Sequence, residues 1–393
     1  MEKSQSNSKY AVLPVLFGFF IMGFCDVVGI TSTHVKLELL NQYSPQFKDT
    51  LSNLIPVALF SMFLLFSVPT GILMNKIGRK KTVTLSNVIT ILAMFIPLIR
   101  YNFILCLIAF ALLGIANTIL QVALNPLLTN VVSGNQLTSS LTAGQFVKAV
   151  SSFCGPFIAA FAASVLGNWQ MIFPVYAVIT LIASIWLLLT PITETALSKN
   201  NSGFGEVLGL LKDKVILLLF LGILFVVGVD VGLNTAAPKI LMERCGLSSI
   251  NAGYGPSVYF AFRTAGAFTG AFLLAKIAPV KFYKINIIIA VLALLALLLV
   301  QDKWSIFGLY AVVGFTVANI FPILYAAALQ RKPDHANEIS GLMITGVFGG
   351  AVIPFLMGLS SDALHTQMGS VLVILASALY LLFCAFTLKH QPE

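Results

Sequence analysis

Charge is what this sequence has least of: Asp, Glu, Lys and Arg make up 9% of its 393 residues, against about 25% in an ordinary soluble domain. So few polar side chains cannot cover a water-exposed surface of this size, which excludes a soluble enzyme or binding domain. Cysteine is sparse too, at five residues. Cys25, Cys106, Cys154 and Cys384 lie in apolar runs and only Cys245 in a connecting segment, so no disulfide and no thiol or zinc chemistry is expected. The chain contains no His-Glu-x-x-His metal motif and no glycine-rich phosphate loop with its lysine. Neither a cofactor nor catalysis is expected. After the short polar stretch Met1 to Tyr10, the first apolar run has no small-residue cleavage site followed by a soluble domain, and it reads as a first span.

What is present is apolar side chain and glycine. Hydrophobic residues make up 58%, with 31 Phe and 29 Gly, and the mean hydropathy is +0.96. Glycine lets membrane helices approach closely. A spanning helix needs about 20 apolar residues, and twelve such runs follow: about 11–33, 52–74, 82–99, 103–131, 139–166 and 170–191, then 215–237, 254–276, 283–300, 304–330, 338–361 and 368–388. The expectation is an all-α membrane protein of 12 transmembrane helices in two pseudo-symmetric six-helix bundles, 1–191 and 215–393, joined by a polar cytoplasmic linker, 192–214. The net charge of +9 sits in short loops, so it is a topology signal and no nucleic-acid partner is expected. With both termini cytoplasmic, fifteen of the 23 Lys/Arg fall inside, six outside and two within spans, the positive-inside bias of a multi-pass protein in a bacterial inner membrane.

The halves echo each other. The first span carries Asp26-Val27-Val28-Gly29-Ile30-Thr31 and the seventh Asp230-Val231-Gly232-Leu233-Asn234-Thr235, as a duplicated transporter predicts. After the second span comes Gly71-Ile72-Leu73-Met74-Asn75-Lys76-Ile77-Gly78-Arg79-Lys80-Lys81. This loop resembles the signature of the major facilitator superfamily, with Asn75 standing where that pattern usually has aspartate. Further segments are similar to the fucose and glucose/galactose:proton symporter family through most of the chain. They are Gly23-Phe24-Cys25-Asp26, then Gln121 to Asn125-Pro126, Asn319-Ile320-Phe321-Pro322, Glu338-Ile339-Ser340-Gly341 and Gly349-Gly350-Ala351-Val352-Ile353-Pro354. That resemblance implies the major facilitator fold and sugar carriage. Gln121 takes the place of a glutamate implicated in proton coupling, and Lys148 that of an asparagine that contacts sugar, so cargo and ion have to be read from this chain's own residues.

Four ionisable residues lie deep in the spans: Asp26, Lys148, Asp230 and Arg263. Each costs about 2.5 to 3.5 kcal/mol at a helix centre, so four uncompensated charges oppose insertion by on the order of 10 kcal/mol. They must be paired, hydrated or protonated. One reading pairs Asp26 with Lys148 and Asp230 with Arg263 as helix staples. The other makes Asp26 or Asp230 the coupling group and frees Lys148 or Arg263 to hold substrate. Neutral polar residues share helix faces: Asn117, Gln121 and Asn125 on the fourth span, Gln145, Lys148 and Ser152 on the fifth, Tyr259, Arg263, Gly266 and Gly270 on the eighth. Amides offer donors and acceptors to sugar hydroxyls, and Tyr259 offers a ring to stack under one. Asn234 and Asn319 join the candidates because the seventh and tenth helices of the superfamily face its cavity. His34, Lys36, Lys239 and Arg244 lie beyond the span ends and read as solvated.

These features point to a monomeric secondary transporter that imports a sugar or sugar acid by alternating access. Proton coupling is favoured and sodium coupling remains the alternative. A drug or metabolite efflux antiporter is the rival, since Gly155-Pro156 on the fifth span resembles part of an antiporter motif. The topology is tested by fusing either fluorescent protein or alkaline phosphatase to the C-terminus. The fluorescent fusion should light up and the phosphatase fusion stay inactive, whereas an active phosphatase would place that terminus outside.

Overall fold

A computed structural model describes residues 2–40, 48–132, 136–194, 203–247, 249–252 and 254–388, and among these helix is the only regular structure. In chain order the first helices are α1 (Glu2–Met22), α2 (Val28–Val35), α3 (Lys48–Ile77), α4 (Arg79–Ile99), α5 (Phe103–Leu128), α6 (Gln136–Val165), α7 (Ile172–Leu189) and α8 (Phe204–Gly209). There follow α9 (Lys214–Cys245), α10 (Ser249–Ala252), α11 (Tyr254–Leu273), α12 (Pro279–Leu299), α13 (Lys303–Val317), α14 (Ile320–Arg331), α15 (Ala336–Thr345), α16 (Gly349–Leu364) and α17 (Met368–Thr387). Each of the twelve expected spans falls on helix. Nine helical runs among the described residues are long and apolar enough to cross a bilayer, and Ala11–Val27 is a shorter apolar helix. Of the other two, α11 carries Arg263 among Gly, Ser and Thr, which lowers its hydropathy, and α6 is described only in part. Part of the expected linker, 195–202, lies outside the described residues, and α8 occupies part of the remainder.

Three spans are broken. A 3-10 turn, Gly23–Val27, separates α1 from α2; Ala318 and Asn319 separate α13 from α14; a second 3-10 turn, Gly346–Phe348, separates α15 from α16. Irregular backbone at membrane depth is tolerated only where protein or a wet cavity supplies its hydrogen bonds, so these breaks mark where function is to be sought.

The chain divides into two compact units. Unit 1 holds Met1–Gly134, Val147–Leu208 and Asp334–Thr345; unit 2 holds Asn135–Phe146, Gly209–Pro333 and Gly346–Glu393. In unit 1, α5 packs on α3 and α4, α7 on α4, and α15 on α3. Its core centres on Phe19, Phe24, Phe63, Phe110, Phe173 and Tyr176, and Ser86 of α4 donates to the Ala116 carbonyl of α5 at 2.7 Å. In unit 2, α9 packs on α16 and α17, α12 on α17, and α11 on α13. Tyr283 donates to the Leu381 carbonyl there at 2.7 Å. Leu189 is 78% exposed and Leu299 82%, a disposition that hydrocarbon rewards and water does not.

Two ends expected to be solvated are instead engaged. The His34 ring stacks on Trp169 at 4.1 Å and its Nδ1 lies 2.8 Å from Glu38 Oε1, because an aromatic face and a carboxylate offer imidazole more than water does. Arg244 donates to the carbonyls of Leu297 and Val300, 2.5 and 3.0 Å away, meeting acceptors that the end of α12 leaves unpaired. Lys239 is exposed, and the Lys36 side chain lies outside the described residues. At the start of α9, partial burial of Asp213 is outweighed by the Val215 N–H and the Arg331 guanidinium, which hold its carboxyl below the usual range.

Glycine sets the closest approaches. A Cβ on Gly114 of α5 would lie 2.3 Å from the Leu59 carbonyl oxygen of α3, whereas one on Gly308 meets nothing within 4 Å. Gly114→Val should therefore lower the melting temperature in detergent, by about 1–3 kcal/mol of stability, while Gly308→Ala should leave it unchanged or raise it through helix propensity. Equal melting curves for the two variants would refute this packing.

Candidate transport site

Within unit 1 the break in the first span is the polar centre. Asn117 of α5 donates to the Met22 carbonyl at 2.8 Å, at the point where α1 passes into the 3-10 turn. Gln121 donates to Asn117 Oδ1 at 2.7 Å, and Asn125 to the Gln121 carbonyl at 2.8 Å. The expected amide stripe is thus a connected chain whose first member supports the break. Asn125 Oδ1 is buried without a hydrogen-bond partner, so its acceptor capacity is still open.

Asp26 lies in the turn and is exposed. On a bilayer-spanning element, an exposed carboxylate has to face water rather than lipid. Two groups donate to it: the Ser152 hydroxyl of α6, to Oδ2, and the Cys25 thiol, 3.4 Å from Oδ1. Each donor has a second acceptor in reach. Ser152 Oγ is 3.0 Å from the Lys148 carbonyl, and Cys25 Sγ is 3.3 Å from the Met22 carbonyl. When Asp26 is ionised both donors can point at it. When it is protonated its own O–H can donate to Ser152, whose proton then turns to the Lys148 carbonyl. Both charge states are satisfied without moving a helix, which is what a proton-binding carboxylate needs. Lys148 is half-buried and is near enough to act electrostatically on Cys25. Among the described residues no carboxylate lies within ion-pair distance of its Nζ, so Asp26 and Lys148 are neighbours without direct contact.

In unit 2 the matching acid is bound differently. Asp230 of α9 has Arg263 Nε of α11 at 2.7 Å from Oδ1, and Tyr259 donates to the same oxygen at 2.6 Å. A guanidinium stays cationic at any relevant pH, so a fixed positive charge lies against Asp230. Tyr259 is fully buried; its ring packs into the protein and its hydroxyl anchors Asp230, which leaves no free face for a sugar in this arrangement. Asn319, at the α13–α14 break, donates to the Gly266 carbonyl at 2.8 Å and keeps Oδ1 buried without a hydrogen-bond partner. The α11 glycines make room for it: a Cβ on Gly270 would lie 2.3 Å from Asn319 Cγ. Gln145 of α6 and Asn234 of α9 are half-buried, and neither amide has a hydrogen-bond partner among the described residues.

The signature loop forms a second cluster in unit 1. Gly78 takes φ +89°, and the N–H groups of Arg79 and Lys80 at the start of α4 donate to Glu194 at 2.6 and 2.9 Å. Asn75 donates to the buried Glu338 at 2.5 Å, Asn337 donates to Asn75 Oδ1 at 2.6 Å, and Arg79 Nε donates to Asn337 Oδ1 at 2.7 Å. Sequence reasoning marked Asn75 as a missing aspartate. The carboxylate it meets comes from α15, a pairing over 263 positions that no local pattern announces.

The family model described as Major Facilitator Superfamily matches residues 15–354. The chain belongs to this superfamily. Its relatives are transporters, not enzymes. This superfamily member is 25% identical over 396 residues to the glucose/galactose transporter of Brucella abortus, covering 95% of this chain and 93% of that protein. It is 26% identical to a putative glucose/galactose transporter of Helicobacter pylori, over all of both chains. Among solved structures it resembles the fucose:proton symporter of E. coli, with a TM-score of 0.82 at 16% identity, over 96% of this chain and 98% of that one.

The two acids should respond differently to neutralisation. Asp230→Asn leaves the Arg263 charge without its partner and should cost about 1–3 kcal/mol after allowance for its partial exposure. Asp26→Asn keeps acceptors for Ser152 and Cys25 and should stay within about 0.5 kcal/mol. Thermal melts of the purified variants read this directly, and a larger loss for Asp26→Asn would reverse the assignment.

Proposed function

We propose that this chain imports a sugar or sugar acid across a bacterial inner membrane by proton symport, as a monomer with both termini in the cytoplasm. It does so by alternating access between two six-helix halves, 1–191 and 215–393. The observation that carries the reading is Asp26: an exposed carboxylate at a break in a bilayer-spanning element, with donors that have somewhere else to turn when it takes a proton. Asp230, held by Arg263 and Tyr259, orders unit 2 in this scheme. Gln145 and Asn234, half-buried and without a hydrogen-bond partner among the described residues, supply amides that suit hydroxyl groups. The names of the Brucella and Helicobacter relatives and of the fucose:proton symporter support a sugar as cargo.

The test is uptake of labelled sugars and sugar acids into proteoliposomes under an imposed proton gradient, with a protonophore control and a sodium gradient as the alternative. Wild type should accumulate cargo only with the proton gradient. Asp26→Asn should equilibrate cargo, exchanging it across the membrane, yet accumulate none. Accumulation that follows sodium and ignores protons would remove the proton role of Asp26. Equal loss of exchange and accumulation in Asp26→Asn would assign that residue to cargo binding or structure instead.

A further inference from the structure

Resting on the symport reading above, the two cations in the spans are not equivalent. Arg263 is committed to Asp230 at 2.7 Å, so that pair is neutral by itself. Lys148 has no such partner among the described residues; it lies one helical turn before Ser152, which with Cys25 already occupies the Asp26 carboxylate. The other titratable groups near Asp26 are the Cys25 thiol, Cys154 and the Tyr176 phenol of α7, none of which carries a charge that balances an ammonium while protonated.

Charge balance then selects the cargo. With Asp26 ionised and no cargo, the Asp26–Lys148 neighbourhood sums to zero. With Asp26 protonated and a neutral sugar bound, it carries one uncompensated positive charge. With Asp26 ionised and an anionic cargo, it carries one negative charge. Under proton symport the loaded carrier holds its proton, and of the loaded states that do so only Asp26 protonated together with a singly anionic cargo is neutral. A low-dielectric protein interior disfavours unpaired charge, so the empty carrier and the carrier loaded with one proton and one anion are the two states suited to reorientation. We propose that the cargo is a monoanionic sugar acid, and that its carboxylate is received by the Lys148 ammonium while Asp26 holds the co-transported proton. No covalent step is involved; the proton enters on Asp26, leaves from Asp26, and one negative charge travels with it.

The sharpest probe pair is D-galacturonate and D-galactose, which differ only in the oxidation of C6. Wild-type protein in proteoliposomes should bind galacturonate at least about tenfold more tightly than galactose, the scale of one charge-assisted hydrogen bond. It should also take up galacturonate without current on a solid-supported membrane, because one proton and one anion cross together. Lys148→Gln should bring the preference close to unity, and Lys148→Arg should retain it. Wild-type selectivity and current decide the matter even if a variant fails to fold. A preference for galactose with inward positive current would overturn this inference and leave sugar symport standing. Current-carrying uptake of galacturonate, or an unchanged preference in a folded Lys148→Gln, would also overturn it. If neither sugar nor any other uronate–hexose pair binds or moves, the sugar reading itself falls with it.

Discussion

The Met22 carbonyl is the point on which the polar interior of unit 1 depends. Where α1 gives way to a 3-10 turn, that oxygen also takes a donor from across the unit, the Asn117 amide of α5. That hydrogen bond ties the turn to α5, and the same turn holds Asp26 against Ser152 of α6. One amide hydrogen bond therefore fixes a backbone irregularity, and the irregularity aims a carboxylate. Gln121 and Asn125 extend the same chain of contacts down α5, so the stripe is architecture at one end and has open capacity at the other.

The duplicated Asp-Val motif shows how far repetition of sequence constrains chemistry. Asp26 and Asp230 sit at corresponding places in the two halves, yet one is served by a hydroxyl and a thiol and the other by a guanidinium and a phenol. Neutral donors can reverse direction or turn elsewhere, whereas Arg263 has only protons to offer and always the same charge. Divergence of the partners, rather than of the acids themselves, distinguishes the two places.

Much of this was legible before any coordinates. Scarce charge and repeated apolar runs of about 20 residues required membrane helices, and each expected run lies on helix. The buried ionisable residues stood out because hydrocarbon penalises them, so Asp26, Lys148, Asp230 and Arg263 were found by cost alone. What periodicity could not supply was pairing. A face shared by Asn117, Gln121 and Asn125 is visible in the spacing, but that Asn117 serves a carbonyl 95 positions away is a tertiary fact. Tyr259 likewise read as a platform because aromatic residues near helix ends commonly are, and only packing reveals that it is enclosed. The breaks at Asn319 and Gly346 were hidden for a related reason: both sit inside runs whose apolar content continues unbroken, and hydropathy does not register backbone geometry.

The Glu194 cap on α4 carries a consequence for how the chain is made. Arg79 receives its acceptor from a residue 115 positions later, and Asn75 from one 263 positions later. During synthesis the start of α4 must leave the ribosome with its amides unmet, and it stays so until the end of the sixth expected span has emerged. Unit 1 cannot be finished when its own first six spans are complete, since α15 still has to arrive. Nascent chains cut short before residue 338 would consequently carry an open loop, with Asn75 and Arg79 lacking their α15 partners, as a mark by which quality control could tell an incomplete carrier from a whole one.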